Sequence, residues 1–302
     1  MTLLTGALGA CTLTSQGTSP KATPVALPLP AAPSEQSASI RKYYSNLQAD
    51  LLVQGLMRKD GGGPDTPYSA DMLARNFERI AFYDEHKIGT RLQASSGEAR
   101  LLARWDAPVR VTVEFGPSVS KDQRTLDNGL VTNFTNRISS LTGHPVRNAA
   151  TRANFHVLVV GEDDRSAMQS RFAALLPNLS RANQALLQNL PRDMHCLVVV
   201  SHGDSITPRI TSAVAIVRAE HPDLLREACF HEEIAQGMGL VNDSPNARPS
   251  IFNDDDEFAF LTSHDEKLLQ MLYDPRLKIG MSADEARPIV KQMARALTAQ
   301  SL

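Results

Sequence analysis

The sequence predicts an α/β fold, a sheet with one long helix packed beneath it and helical segments at both ends. Three observations carry this. Val109, Val111, Val113 and Phe115 alternate with Arg110, Thr112 and Glu114, the period of a half-buried strand. Phe155 to Val160 is apolar throughout, as in a strand covered on both faces. Strand-like and helix-like segments then interleave up to a helix opened by Pro222.

The elements follow in order. Ile40 to Met57 has a helical apolar period, and Asp60-Gly61-Gly62-Gly63-Pro64 breaks it. No Lys-Ser or Lys-Thr follows those glycines, so they form a turn and not a phosphate loop. Ser69 caps a second helix to Phe82. Residues 40–104 are thus expected as a helical N-terminal extension and 105–302 as the main domain, beginning near Trp105. Within it, Asp122 to Leu141 is an amphipathic helix stopped at Gly143. Helices are expected near Ser166 to Leu176 and Arg181 to Leu190, and strands at Cys196 to Val200 and Ala213 to Ala219. Asp265 to Tyr273 is a helix closed by Asp274-Pro275, and Ser282 with Glu285 forms a capping box for the last helix.

Composition bounds the partners. The chain has 302 residues, a formal net charge of −2 and 42% hydrophobic residues, enough for a sizeable core. Near-neutral charge gives no reason to expect nucleic acid or an anionic membrane surface. No apolar run has the length of a membrane span.

Residues 1–11 end in Leu8-Gly9-Ala10-Cys11 and resemble a bacterial lipoprotein signal, in which the cysteine carries the lipid. No Lys or Arg precedes the apolar run, which is also short; a start upstream of Met1 accounts for both. Residues 12–39 are Ser, Thr, Pro and Ala with little charge, the composition of a flexible linker. Lipidation at Cys11 implies a membrane partner through that anchor and a cell-envelope location, a periplasm-facing outer-membrane lipoprotein. In an oxidising compartment Cys196 and Cys229 are available to pair; two buried reduced thiols are the alternative.

The chemistry concentrates in Glu232-Glu233-Ile234-Ala235-Gln236-Gly237-Met238-Gly239-Leu240-Val241-Asn242-Asp243. The zinc-protease pattern H-E-x-x-H-x-x-G-x-x-H places two ligands one helical turn apart, a base, a glycine turn and a third ligand. Laid on this segment, Glu232, Gln236 and Asn242 fall on the ligands, Glu233 on the base and Gly239 on the turn, with Asp243 a substitute for Asn242. The frame starting at His231 fails, because Ala235 coordinates nothing. A carboxylate-and-amide set suits Ca²⁺ or Mg²⁺ better than Zn²⁺ and holds any divalent metal weakly. The competing reading is an ordinary helix with acidic residues and a glycine stop.

Several stretches together resemble the bacterial family called domain of unknown function 2927. They are Thr142-Gly143-His144-Pro145, Asn154-Phe155-His156-Val157, Cys229 through Asp243, Ser250-Ile251-Phe252-Asn253-Asp254 and Leu272-Tyr273-Asp274-Pro275-Arg276-Leu277, and the resemblance spans Leu51 to Met281. It implies secreted or lipid-anchored bacterial proteins and names no activity. A more distant resemblance runs to the metzincin-type metalloproteases, through the helix and through Leu261-Thr262-Ser263-His264-Asp265. It implies a metzincin-like mixed sheet, Glu233 as general base and Met281 at the Met-turn position.

Three functions are open. One is a hydrolase of peptide bonds using one weakly held divalent metal, Zn or Ca, with Glu233 taking a proton from bound water. The second is a pseudo-peptidase that binds a peptide or envelope partner without cutting it. The third is a metal-free carboxylate cluster of Glu232, Glu233 and Asp243, working as in glycoside hydrolysis. No nucleophile elbow, phosphate loop or C-x-x-C pair is present. His144, His156, His195 and His202 are read as structural, and His231 as an exposed helix position beside the carboxylates.

Overall fold

The computed structural model of the chain describes residues 32–83, 86–88, 92–94, 99–203, 207–253 and 255–299. Cys11, the signal expected at 1–11 and the linker up to residue 31 lie outside the described residues.

Among the described residues the core is a five-stranded sheet. An antiparallel ribbon, β1 His86–Ile88 and β2 Leu92–Ala94, precedes it. The sheet strands are β3 Val109–Phe115, β4 Val146–Asn148, β5 Phe155–Val160, β6 Cys196–His202 and β7 Ile210–Arg218. Their order is β4-β3-β5-β7-β6. β3, β4, β5 and β7 run parallel, whereas β6 pairs antiparallel with β7 and forms one edge. The expected mixed α/β sheet is therefore present, and the strand ranges at 109–115 and 155–160 are those the residue pattern predicts.

The apolar pattern of each strand follows from what covers it. Val157 and Val159 face one cluster, shared with α3 (Lys121–Thr142) and α6 (Asp223–Gly237). Leu158 and Val160 face the other, shared with α4 (Arg165–Leu175) and α5 (Arg181–Gln188). Both faces of β5 are thus dry, which is why its sequence does not alternate.

The outer helices depart from expectation in an instructive way. α1 spans Glu35–Val53, starting before Ile40 and ending before Met57. Its first turn lacks an apolar period because polar contacts hold it. The Ser34 hydroxyl accepts from the Ser37 amide, and Ser37 Oγ donates to Glu220 at 2.9 Å. The last residues of the expected linker are thus helix. α2 (Ala70–Phe82) buries Leu73, Phe77 and Ile80 in the same core as the sheet. It packs against α8 (Ala283–Ala299), so the helical segment before Trp105 joins the α/β body rather than standing apart from it. α7 (Ser263–Tyr273) completes that layer, with the Thr262 and Asp265 side chains forming its capping box.

The helix that carries the motif, α6, follows β7 and packs under β6 and β7. Pro222 is its N-cap, and Phe230 and Ile234 enter the core at 1% and 0% exposure. A buried ion pair, Arg226 Nε donating to Asp127 Oδ1 at 2.9 Å, ties α6 to α3.

Candidate functional site

Close contacts around the end of α6 set the site. A Cβ on Gly237 would lie 2.4 Å from the Phe155 ring, so only glycine lets the helix approach β5 this closely. Trp105 Nε1 donates to the Gly237 carbonyl at 2.8 Å, and Tyr273 Oη donates to the Met238 carbonyl at 2.9 Å. Gly239 follows at φ 124, where a side chain is strained and where a Cβ would meet the Ala103 carbonyl oxygen at 2.7 Å. The chain therefore reverses here, as the motif spacing predicts.

The reversal brings back one of the two expected residues. Gln236 Nε2 donates to Asp243 Oδ1 at 3.2 Å, so Asp243 returns to the face one turn along α6. Asn242 does not. It is 3% exposed, and its amide donates to the Arg79 carbonyl of α2 at 3.0 Å. A carbonyl only accepts, so that amide nitrogen is committed to α2, and Asn242 is not among the residues lining the cleft. Met281 is also elsewhere. Its carbonyl accepts from the Leu102 amide at 2.8 Å, and its side chain packs against the main core.

Glu232, Glu233, Gln236 and Asp243 line a cleft of about 1010 Å³. Its opposite wall is β6, from Cys196 to His202, with Leu176 to Leu179 beyond α4 and Arg100 at the side. Cys196 and Cys229 form a disulfide that joins β6 to α6 at the cleft floor. Cys196 Sγ is 4.0 Å from Glu232 Oε2, a contact rather than a hydrogen bond, because a disulfide sulfur carries no proton. One ligating atom each from Cys196, Glu232 and Glu233 lies within 4.8 Å of the other two.

This donor set fits a resident metal poorly in the oxidised protein. The sulfur is consumed by the disulfide, and only a thiolate is an effective ligand. Two carboxylates then remain in close reach, with Asn242 withdrawn and Asp243 engaged by Gln236. Ca²⁺ takes 6–8 oxygen ligands and structural Zn²⁺ four tetrahedral ones. Glu232 and Glu233 are neighbours on one helix, and Asp243 reaches the same cleft from beyond the reversal.

His231 and His264 are packed into the core. His231 is buried, not exposed, at 7%. Its Nδ1 accepts from the Leu261 amide at 3.0 Å, and its ring stacks between Phe134 and Phe260 at 4.0 and 4.8 Å. Burial, aided by the Arg137 charge, pushes its pKa down to about 3, so it stays neutral. Ser250, Asp265 and His264 resemble a triad in composition only. Ser250 donates to Asp265 rather than to the histidine, His264 Nε2 faces Asn76, and all three are buried.

Neither a curated protein nor a solved structure matches the chain. The model of a family described as protein of unknown function (DUF2927) matches residues 70–292. The chain belongs to that family. The DUF2927 match covers the sheet, α6, the reversal and α7, and with them every cleft-lining residue except Met57. Two site features escaped the sequence reading, the placement of β6 as cleft wall and the approach of Cys196 to Glu232. Cys229, three residues before Glu232, was the available signal, but its partner's position relative to the carboxylates depends on strand–helix packing.

Proposed function

We propose that the cleft binds an extended peptide segment, and that the oxidised protein does so without metal-dependent cleavage. The supporting observation is the edge of β6. Among the described residues no strand pairs with its outer side, and residues 196–202 form the cleft wall facing Glu232, Glu233 and Asp243. An exposed edge is a template for one more strand, whose main chain satisfies the open N–H and C=O groups.

The test uses fluorescent peptides of extended sequence with the intact, disulfide-bonded protein. Saturable binding that is lost on backbone N-methylation of the peptide is expected, because methylation removes the donors a strand needs. Equal affinity for the methylated peptide overturns the reading. Cleavage of the peptide that requires added Zn²⁺ or Ca²⁺ and disappears in Glu233→Gln would instead support the hydrolase reading.

The compartment belongs to the same proposal. A disulfide between β6 and α6 favours an oxidising, extracytoplasmic setting, consistent with lipid attachment at Cys11. Fatty-acid labelling that survives Cys11→Ser removes the anchor.

A further inference from the structure

The disulfide and the carboxylates beside it form a second arrangement when the sulfurs are reduced. The geometry points to a zinc site that opens on reduction of Cys196–Cys229, with Cys196, Cys229, Glu232 and Glu233 as its ligands. This site shares the cleft with the proposed peptide but does not rest on that reading, because zinc uptake is measured without peptide.

Three of the four donors are already gathered. Ligating atoms of Cys196, Glu232 and Glu233 lie within 4.8 Å of one another, and Cys229 is tied to the group through its bond to Cys196. Tetrahedral coordination with bonds of about 2.0–2.3 Å needs ligand atoms about 3.3–3.8 Å apart. Movements on the order of 1 Å at the side-chain ends bring Cys196, Glu232 and Glu233 to that spacing, and Cys229 joins them once its sulfur is released from Cys196. Two thiolates with two carboxylates select zinc over calcium or magnesium, which take oxygen alone.

A separate feature points to the same place. His221 is 1% exposed, and its Nδ1 lies 3.8 Å from Cys229 Sγ. Its Nε2 has no hydrogen-bond partner. The imidazole aimed at this sulfur makes no bond in the oxidised pair beyond a weak contact. Against a thiolate it supplies an N–H donor that orients the ligand, the outer support that zinc-bound groups ordinarily have.

The redox step balances. An external dithiol passes two electrons and two protons to the disulfide and is itself oxidised to a disulfide. Cys196 and Cys229 become thiols, and zinc binding releases both protons as the thiolates form. The cleft opens onto both cysteines, so a reductant reaches them without unfolding.

The experiment compares Zn²⁺ uptake by the oxidised full chain and by the same protein reduced with a phosphine, using a chromophoric chelator as competitor. One equivalent is expected in the reduced protein, at least about a hundredfold tighter than in the oxidised protein. In reduced Glu232→Gln the affinity is expected to fall at least about tenfold. Co²⁺ in place of zinc is expected to give thiolate charge-transfer absorption, lost in Cys196→Ser. Circular dichroism guards against unfolding. If reduction loosens the fold, zinc is expected to restore it, as binding and folding share one free energy. Equal uptake in both redox states, uptake indifferent to Glu232→Gln, or a reduced chain that zinc neither binds nor refolds overturns the site.

Discussion

His231 illustrates how a single residue changes meaning between sequence and structure. As a neighbour of two glutamates it reads as an exposed partner of the site; in the fold it is a wedge between aromatic rings. Its depressed pKa makes a stability prediction. Between the ordinary value of 6.5 and about 3, the unfolded chain binds a proton that the folded chain does not. Stability from this group is therefore fully present above pH 6.5 and lost as pH falls towards 3. Going from pH 7 to pH 5, the native protein is expected to lose about 2 kcal/mol more than His231→Gln, which keeps an acceptor for the Leu261 amide but does not titrate. Denaturant unfolding at both pH values measures it, and equal losses would refute the buried neutral state. The fate of the motif residues has the same lesson. Gln236 and Asp243 were legible because helical spacing and one glycine place them. Asn242 was not, because its partner is a carbonyl on α2, 163 residues away in sequence.

At the scale of elements, the strands were legible where burial leaves a period. β3 alternates because one face is more covered than the other, and β5 does not because both are dry. The start of α1 was illegible because polar side chains from other elements, not an apolar stripe, hold it in place. The end of α6 is the element that decides the cleft, and two glycines separate local freedom from local need. Gly239→Ala places a Cβ at φ 124 against the Ala103 carbonyl and is expected to destabilise by about 1–3 kcal/mol. Gly129, exposed in the middle of α3 with nothing near its missing Cβ, should respond in the opposite sense. Gly129→Ala is expected to stabilise by about 0.5–1 kcal/mol, since it only removes freedom from the unfolded chain and raises helix propensity. Thermal unfolding of the pair checks this. Shifts of the same sign would mean that Gly239 tolerates a side chain despite its positive φ.

For the molecule as a whole, the core is closed by segments far apart in sequence. Leu73 of α2 and Ala294 of α8 belong to the same apolar cluster as the sheet. The edge strand β6 is held on one side by β7 and crosslinked to α6 by Cys196–Cys229. That link spans 33 residues, a loop whose closure entropy in the unfolded chain is worth about 3–4 kcal/mol. The double variant Cys196→Ala/Cys229→Ala is therefore expected to lose about that much stability. Because the link joins the cleft wall to its floor, the loss should be unevenly distributed. Amide exchange is expected to accelerate in β6 and the first half of α6, which the crosslink joins, before it does in β3 and β5. Hydrogen exchange resolved along the chain makes the comparison directly. A uniform acceleration across the sheet would show that the crosslink stabilises only the unfolded-state balance and leaves the cleft wall no more firmly held than the rest.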